Sequence, residues 1–454
     1  MNMLKGFVRA GFFSARGAAY LCLLLLMGNR IAAAQTPGIP DTPAGHTLGA
    51  FLDAFNSGDR TKLAAYVKTY DPTETVDDLA SFSAETGGFA LISVVDSKPA
   101  FISFRGKHKG DGREFFSTFA LASTDPPRVK DWTIHLIPPG ATINRTALDA
   151  ATRHNVIEAI ATDFTDFYIY PDMAQKMINS LRDHEKSGDY NSLTNGTQFA
   201  TELKADLLAV SKDHHIGVDY DPFLRPAEDH PGDNKPHPPT SADRVRRRAR
   251  LEHSNCEFSK VEILPRNIGY LKFNAFADPD ICGPTVAAAM GFIAHADAVI
   301  VDLRENGGGD PAMVQLIASY FFDKSTHIND LYNRHDDATT QYWTLPYVPG
   351  ARIAAPLYVL TSSNTFSGAE EFAYDMQTQK RATLVGETTG GGAHPVRGMP
   401  AGDHFMVGVP VARPINPVTR KDWEGTGVEP EVKVQAADAL ATAQKLANEK
   451  MQPK

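Results

Sequence analysis

Four short segments of this 454-residue chain hold residue types that can do chemistry together. In Pro356 to Ala373, PLYVLTSSNTFSGAEEFA, an apolar run ends in a polar turn and a helical pattern begins near Ser367. A serine at a strand-to-helix junction sits among backbone N–H groups that lack an intrahelical partner and can stabilise negative charge on a bound carbonyl. Gly368 and Ala369 beside it leave room for a substrate backbone. The same residues, Ser367 to Glu370, also spell a capping box, the commonest use of S-x-x-E. On this segment alone Ser367 is a nucleophile or a helix cap.

The second segment, Val299 to Asp310, reads VIVDLRENGGGD. A buried strand running into Gly307, Gly308 and Gly309 offers positive φ angles and exposed N–H groups at the carboxyl end of a strand, where α/β proteins place ligands. The alternative is a plain glycine-rich turn. Neither GxxxxGK[ST] nor GxGxxG is present, which removes the nucleotide-binding readings. The third segment, Asp213 to Val218, puts His215 at the boundary between a helical stretch and a strand, a position for a general base. The fourth, Asp422 to Pro430, sets Glu424 beside glycines, where a carboxylate can orient an imidazole. A serine hydroxyl is a poor nucleophile until a base takes its proton, and imidazole titrates near the operating pH. The chain order His, Ser, Glu and the lack of G-x-S-x-G argue against an α/β-hydrolase esterase.

The elements that must position these residues follow from periodicity. Leu48 to Tyr66 carries apolar residues at helical spacing, interrupted at Asn56 to Asp59, and predicts two short helices. From Gly88 to Ile137 the runs FALISVV, AFISFRG, FFSTFALAS and DWTIHLIPPG predict strands. That order makes residues 45–140 a small α+β domain. Helical period returns from Arg145 to Val210 in three segments, giving a helical lead-in over 144–221. Strands interleaved with helices then predict an α/β core over 222–454. Pro222 to Thr240, rich in Pro, Asp and His, reads as a surface loop. His230, His237 and His253 have no carboxylate partner at fixed spacing and read as solvated, with no metal. The five arginines between Asp243 and Arg250 read as a solvated helical face.

A net charge of -9 and a pI near 5.9 provide no field for phosphate backbones or anionic membranes, so nucleic acid is excluded as a partner. The first residues show Lys5, Arg9 and Arg16, an apolar run from Ala18 to Met27, and Ala32-Ala33-Ala34 before Gln35. This is the layout of a secretory signal peptide over 1–34, cleaved after Ala34. The apolar run is half of the roughly 20 residues that span a bilayer, so no membrane span is expected after cleavage. The expected location is periplasmic or secreted. Cys22 lies in the leader, and Cys256 and Cys282 remain, free or paired, since two cysteines fix no geometry.

Taken together, LLAVSKDHHIGV, VIVDLRENGGG, YVLTSSNTFSGAEEFA with VGETTGGG, and WEGTGVEPEV resemble, in order, the C-terminal processing peptidases, the tricorn protease core and the interphotoreceptor retinoid-binding protein modules. The resemblance spans roughly Asn144 to Val434 and implies a core similar to the ClpP/crotonase ββα superfold. The opening FLDAFNSGD resembles a nuclear-transport-factor or cystatin-like domain. The peptidase resemblance implies an exported serine endopeptidase acting on peptides or protein tails. In it Ser367 is the nucleophile, His215 the base and Glu424 the acidic residue, with an oxyanion hole from Gly307, Gly308 and Gly368 and no cofactor or metal. Two positions depart from the family pattern. Thr388 stands where many C-terminal processing enzymes carry a lysine, and His214 where the tricorn core has a serine. No PDZ-like segment separates lead-in from core. The competing expectation from the same resemblance is a non-catalytic binder of hydrophobic ligands. The oligomeric state is left open.

Overall fold

The structure is a computed structural model, and it describes residues 38–138, 140–144, 146–224 and 241–451. The expected leader and most of the loop before Thr240 lie outside the described residues.

Three helices open the described chain, Pro43–Ser57, Arg60–Thr69 and Val76–Thr86. Thr42, Asp59 and Thr75 cap them in extended conformation, each side chain accepting a first-turn N–H. The break between the first two falls where expected, because Gly58 takes φ 62° and Asp59 starts the next helix. The third helix was not expected. Its sequence, VDDLASFSAET, buries Leu79 with polar Ser83 and Thr86 and half-buries Val76, Ala80 and Phe82, a stripe whose polar members hide the apolar period. Strands Phe89–Lys98, Phe101–His108, Glu114–Thr124 and Pro127–Leu136 form an antiparallel meander in sequence order, at the four positions the apolar runs predict. The helices and this sheet enclose an aromatic core of their own, including Phe51, Phe55, Phe89, Phe104, Phe115 and Phe119.

The lead-in forms the three expected helices, Ala150–Phe167, Pro171–Ser187 and Gly196–Ser211. Their core is shared with distant sequence: Phe405, Val407 and Val409 pack with Phe164, Phe199 and Leu203. Strand Gly217–Tyr220, which follows the last helix, pairs antiparallel with Phe405–Pro410, and that strand with Val396–Pro400.

The main sheet has six strands in the order Val432–Lys433, Ala382–Gly386, Leu357–Thr361, Ala298–Asp302, Ile268–Phe273, Phe258–Leu264. All neighbours are parallel except the hairpin formed by the last two. Buried parallel strands need apolar residues on both faces. Val299, Val301, Leu357 and Val359 face helices Pro279–Ile293, Pro311–Ser319 and Gly368–Thr378. Ile300, Tyr358 and Leu360 face helix Ala436–Lys450, whose Ala439, Ala443 and Ala447 are fully buried. The chain is thus a mixed α/β protein. Cys256 and Cys282 are joined in a disulfide, Cα to Cα 5.6 Å, tying the start of the sheet to helix Pro279–Ile293.

Candidate active site

Three loops leave the carboxyl ends of adjacent parallel strands, after Asp302, Thr361 and Gly386, where the register pairs Asp302 with Leu360 and Thr361 with Gly386. Fully buried Asp302 anchors the first of them, accepting from the Arg304 guanidinium through both oxygens and from Tyr270 O–H at 2.6 Å. The loops are bonded to one another. Thr365 Oγ1 donates to Leu303 O at 2.7 Å, Phe366 N to Asn306 O at 3.0 Å, and Gly390 N to Thr365 O at 3.0 Å.

Ser367 sits at the top of this junction, immediately before helix Gly368–Thr378, with φ 53° and ψ −121°. Ordinary N-caps in this chain, such as Thr42 and Asp149, are extended. Ser367 holds instead a backbone conformation that an L-residue adopts only under constraint from its surroundings. Part of the constraint is Glu370, fully buried, whose carboxylate accepts Ser367 N at 2.9 Å, Gly391 N at 2.7 Å, Gly392 N at 2.9 Å and Thr389 Oγ1. Both halves of the capping box are therefore present, and the same carboxylate also clamps the Gly390-Gly391-Gly392 loop. Burial raises the Glu370 pKa against the lowering effect of these four donors.

Gly308, at φ 97°, supplies the other constraint: a Cβ there would fall 2.6 Å from Gly368 N and 2.7 Å from Ser367 Cβ. The structure thus brings Gly308, Ser367 and Gly368 together. The N–H groups of Gly307 and Gly308 are already engaged, donating to Asn274 O at 3.1 Å and to Asn306 Oδ1 at 2.8 Å. The backbone nitrogen that faces Gly368 is that of Gly309, 3.0 Å from where a Gly368 Cβ would stand.

His215 lies on the same surface. Its ring packs on Phe366 with centroids 4.7 Å apart, and a Cβ on Gly392 would come within 2.6 Å of its Cε1. Neither ring nitrogen takes a hydrogen bond from the described residues. Burial pushes its pKa down to about 4, with His394 and His214 adding to the effect and Asp213 opposing it. At neutral pH the ring is uncharged. Its backbone N–H donates to Asp213 Oδ1 at 3.1 Å.

Glu424 is not on His215. Its Oε2 accepts Ala393 N at 2.6 Å and lies 3.4 Å from His394 Nδ1. His394 Nδ1 in turn is 2.8 Å from Asp213 Oδ2, which also accepts Tyr168 O–H at 3.1 Å. The expected pairing of Glu424 with the His215 ring is replaced by a buried cluster of Asp213, His394 and Glu424. His394 went unnoticed in the sequence although it stands two residues after the third glycine of TTGGGAHP. The three side chains offer ligand atoms within 4.8 Å of one another, a metal-like spacing. The oxygens nearest His394 are also those that accept Tyr168 O–H and Ala393 N–H, so hydrogen bonding alone accounts for the arrangement. Burial raises the Glu424 pKa to about 7, Asp213 adding to it and His394 opposing. Burial works against charge on both His394 and Asp213, but their mutual bond outweighs it, raising the histidine and lowering the aspartate.

Thr388 is exposed, and Lys380, the lysine nearest it, is exposed beyond the far end of helix Gly368–Thr378. Eleven helical residues span about 16 Å at 1.5 Å each, so that ammonium is remote from Ser367.

A strained serine on a strand-to-helix elbow, glycine N–H groups beside it and a half-buried neutral imidazole on the same surface fit the class of serine-type hydrolases. Residues 267–434 match the model of peptidase family S41, and residues 147–265 match that of the N-terminal domain of Peptidase_S41 in eukaryotic IRBP. The chain thus carries a domain of peptidase family S41, a family of serine peptidases, preceded by the N-terminal domain that accompanies it. A tail-specific protease of Haemophilus influenzae is 28% identical over 158 residues, 32% of this chain and 21% of the relative, so the match spans about a fifth of that protein's length. Among solved structures, one from Parabacteroides merdae is 18% identical, covering 65% of this chain and 96% of the other at a TM-score of 0.47. The photosystem II D1 C-terminal processing protease is 14% identical, covering 63% and 94% at 0.39. Among the described residues, no helix is long and apolar enough to cross a membrane.

Proposed function

We propose that this protein is an exported serine endopeptidase that cleaves peptides or protein tails, with Ser367 as nucleophile and His215 as general base. The observation that carries the reading is the strained backbone of Ser367, φ 53° and ψ −121°, held between Gly308 and the Glu370 carboxylate. A helix cap alone has no need of that conformation. Ser367 Oγ attacks the scissile carbonyl carbon while His215 takes its proton. The oxyanion is held by the N–H of Gly368 with that of Gly309, since Gly307 and Gly308 spend theirs on Asn274 and Asn306. The imidazolium then protonates the leaving amine, and water attacks the acyl-enzyme with His215 again as base. Asp213, bonded to the His215 backbone, supplies the counter-charge for the transient imidazolium.

Helix-linked parallel strands Ile268–Phe273, Ala298–Asp302, Leu357–Thr361 and Ala382–Gly386 support the ClpP/crotonase-like reading of the core. Three helices on a four-stranded meander with a core of its own support reading residues 45–140 as a separate cystatin-like domain. The lead-in, 144–221, shares its core with residues 399–412, so we read it as docked permanently on the 222–454 core. The Cys256–Cys282 disulfide supports export to an oxidising compartment, periplasmic or extracellular, after removal of 1–34.

The experiment is labelling of the mature protein with a fluorophosphonate, followed by mass mapping of the adduct. Adduct on Ser367, lost in Ser367→Ala together with peptide hydrolysis, is the expected result. Hydrolysis that survives Ser367→Ala would refute the assignment.

A further inference from the structure

The cluster behind His215 joins segments far apart in sequence. Asp213 and His394 are each 2% exposed and 181 residues apart, yet bonded at 2.8 Å. One oxygen of Asp213 holds the His215 backbone N–H and the other accepts from His394. Glu424 approaches the same Nδ1 of His394, at 3.4 Å, and steadies the same loop through Ala393 N. Trp423, the residue before Glu424, adds a third tie by donating from Nε1 to Gly392 O at 2.8 Å. That loop, 390–394, therefore touches the His215 ring with Gly392 and the His215 turn with His394.

We propose that His394 is a positioning residue for catalysis: it holds Asp213, and with it the turn bearing His215, while Glu424 holds His394. The inference rests on the reading of His215 as the base. A carboxylate buried to this degree needs a donor on each oxygen, and an imidazole whose Nδ1 faces two carboxylates keeps a proton on that nitrogen, with Nδ1–H toward Asp213. His394 thereby takes the role that direct ring contact from Glu424 would otherwise fill. The charged and titratable groups facing His394 are Asp213 from the turn after helix Gly196–Ser211, Asp422 and Glu424 from the loop after Ile415, and Tyr170 ahead of helix Pro171–Ser187. Tyr168 lies one bond further, on Asp213, and Arg413 lies beyond Tyr170.

The test uses the mature full chain as native protein, His394→Asn and His394→Phe. Asparagine keeps an N–H near the place of Nδ1 but no charge; phenylalanine keeps the ring volume and neither. Two quantities are read: kcat and KM per fluorophosphonate-titrated site, and the titration midpoint of the His215 imidazole by 15N NMR. Displacement of a catalytic group by about 1 Å costs about 10²-fold in rate. His394→Phe should therefore lower kcat on the order of 10²-fold with KM nearly unchanged, and His394→Asn should recover most of it. Both should raise the His215 midpoint, because each removes a positive neighbour and leaves Asp213 unneutralised. A purely structural role would reduce the titratable fraction and leave the His215 midpoint in place. An unmoved midpoint in His394→Asn, or an unchanged kcat per site in His394→Phe, overturns the proposal. Should His394→Phe not fold, the midpoint in His394→Asn decides. Failure of the peptidase reading is separate: the native protein would then take no label, while the midpoint comparison would still decide whether His394 governs His215.

Discussion

Gly308 lies so close to Ser367 that a Cβ on the glycine would stand 2.7 Å from the Cβ of the serine. The glycine loop is therefore the wall that holds the serine in its strained backbone conformation. Gly308→Ala must push on Gly368 N and Phe366 O, both backbone, from a φ of 97°. Strain of this kind costs about 1 to 3 kcal/mol. We expect a folded protein with a lowered melting temperature and kcat/KM reduced at least tenfold, checked by thermal melting and peptide hydrolysis.

Glu370 should matter for both stability and rate. Its carboxylate serves three backbone N–H groups and one hydroxyl inside the protein. Glu370→Ala leaves all of them unpaired, and each buried orphan costs about 1 to 3 kcal/mol. Denaturant titration should show a loss of several kcal/mol, and Ser367 labelling should slow in the protein that remains folded.

The pH profile follows from the His215 environment. The active form is the neutral ring, and burial pushes its pKa down to about 4. Activity rises with pH through that value, so kcat/KM should be nearly flat from pH 7 to about pH 5.5 and fall below it. An ordinary histidine would lose activity from about 6.5 downward. Stopped assays across pH 3.5 to 8, about the range needed to see the limb, distinguish the two.

His215→Ala and Lys380→Ala should part company. The first removes the proposed base and should reduce kcat by about 10⁴-fold or more. The second alters an exposed residue beyond the far end of the nucleophile's helix and should leave kcat and KM within twofold, roughly the scatter of a neutral surface change.

Removing the disulfide tests its share in stability. Cys256 and Cys282 close a loop with a sequence separation of 26, for which chain entropy gives about 3 kcal/mol. The double Cys256→Ser, Cys282→Ser protein should melt lower by several degrees and keep its activity below the melt.

Local pattern was sufficient for most elements. The three lead-in helices were legible because burial imposes a period of 3.6, and the N-terminal strands and the buried strand ahead of Gly307 because burial leaves short apolar runs bounded by turns. The helix Val76–Thr86 escaped because its buried face includes polar Ser83 and Thr86, which break the apolar stripe. The serine elbow and the glycine turn were legible too, since each needs its residue types within a few positions.

Which oxygen meets which nitrogen was decided only by the tertiary structure. Nothing local distinguishes Glu424 against His215 from Glu424 against His394, because that choice depends on how a loop near residue 394 lies over a turn at residue 213. The N–H of Gly307 looked available in sequence, and proved to be spent on Asn274 O once the strands were aligned, while that of Gly308 is spent within its own turn on Asn306. The sequence by itself determined the chemical parts and the order of the elements that carry them. The packing of distant segments assigned the partners that join the His394 loop to the His215 turn, since hydrogen bonds form between neighbours in space and pKa shifts follow burial, and local pattern specifies neither across such distances.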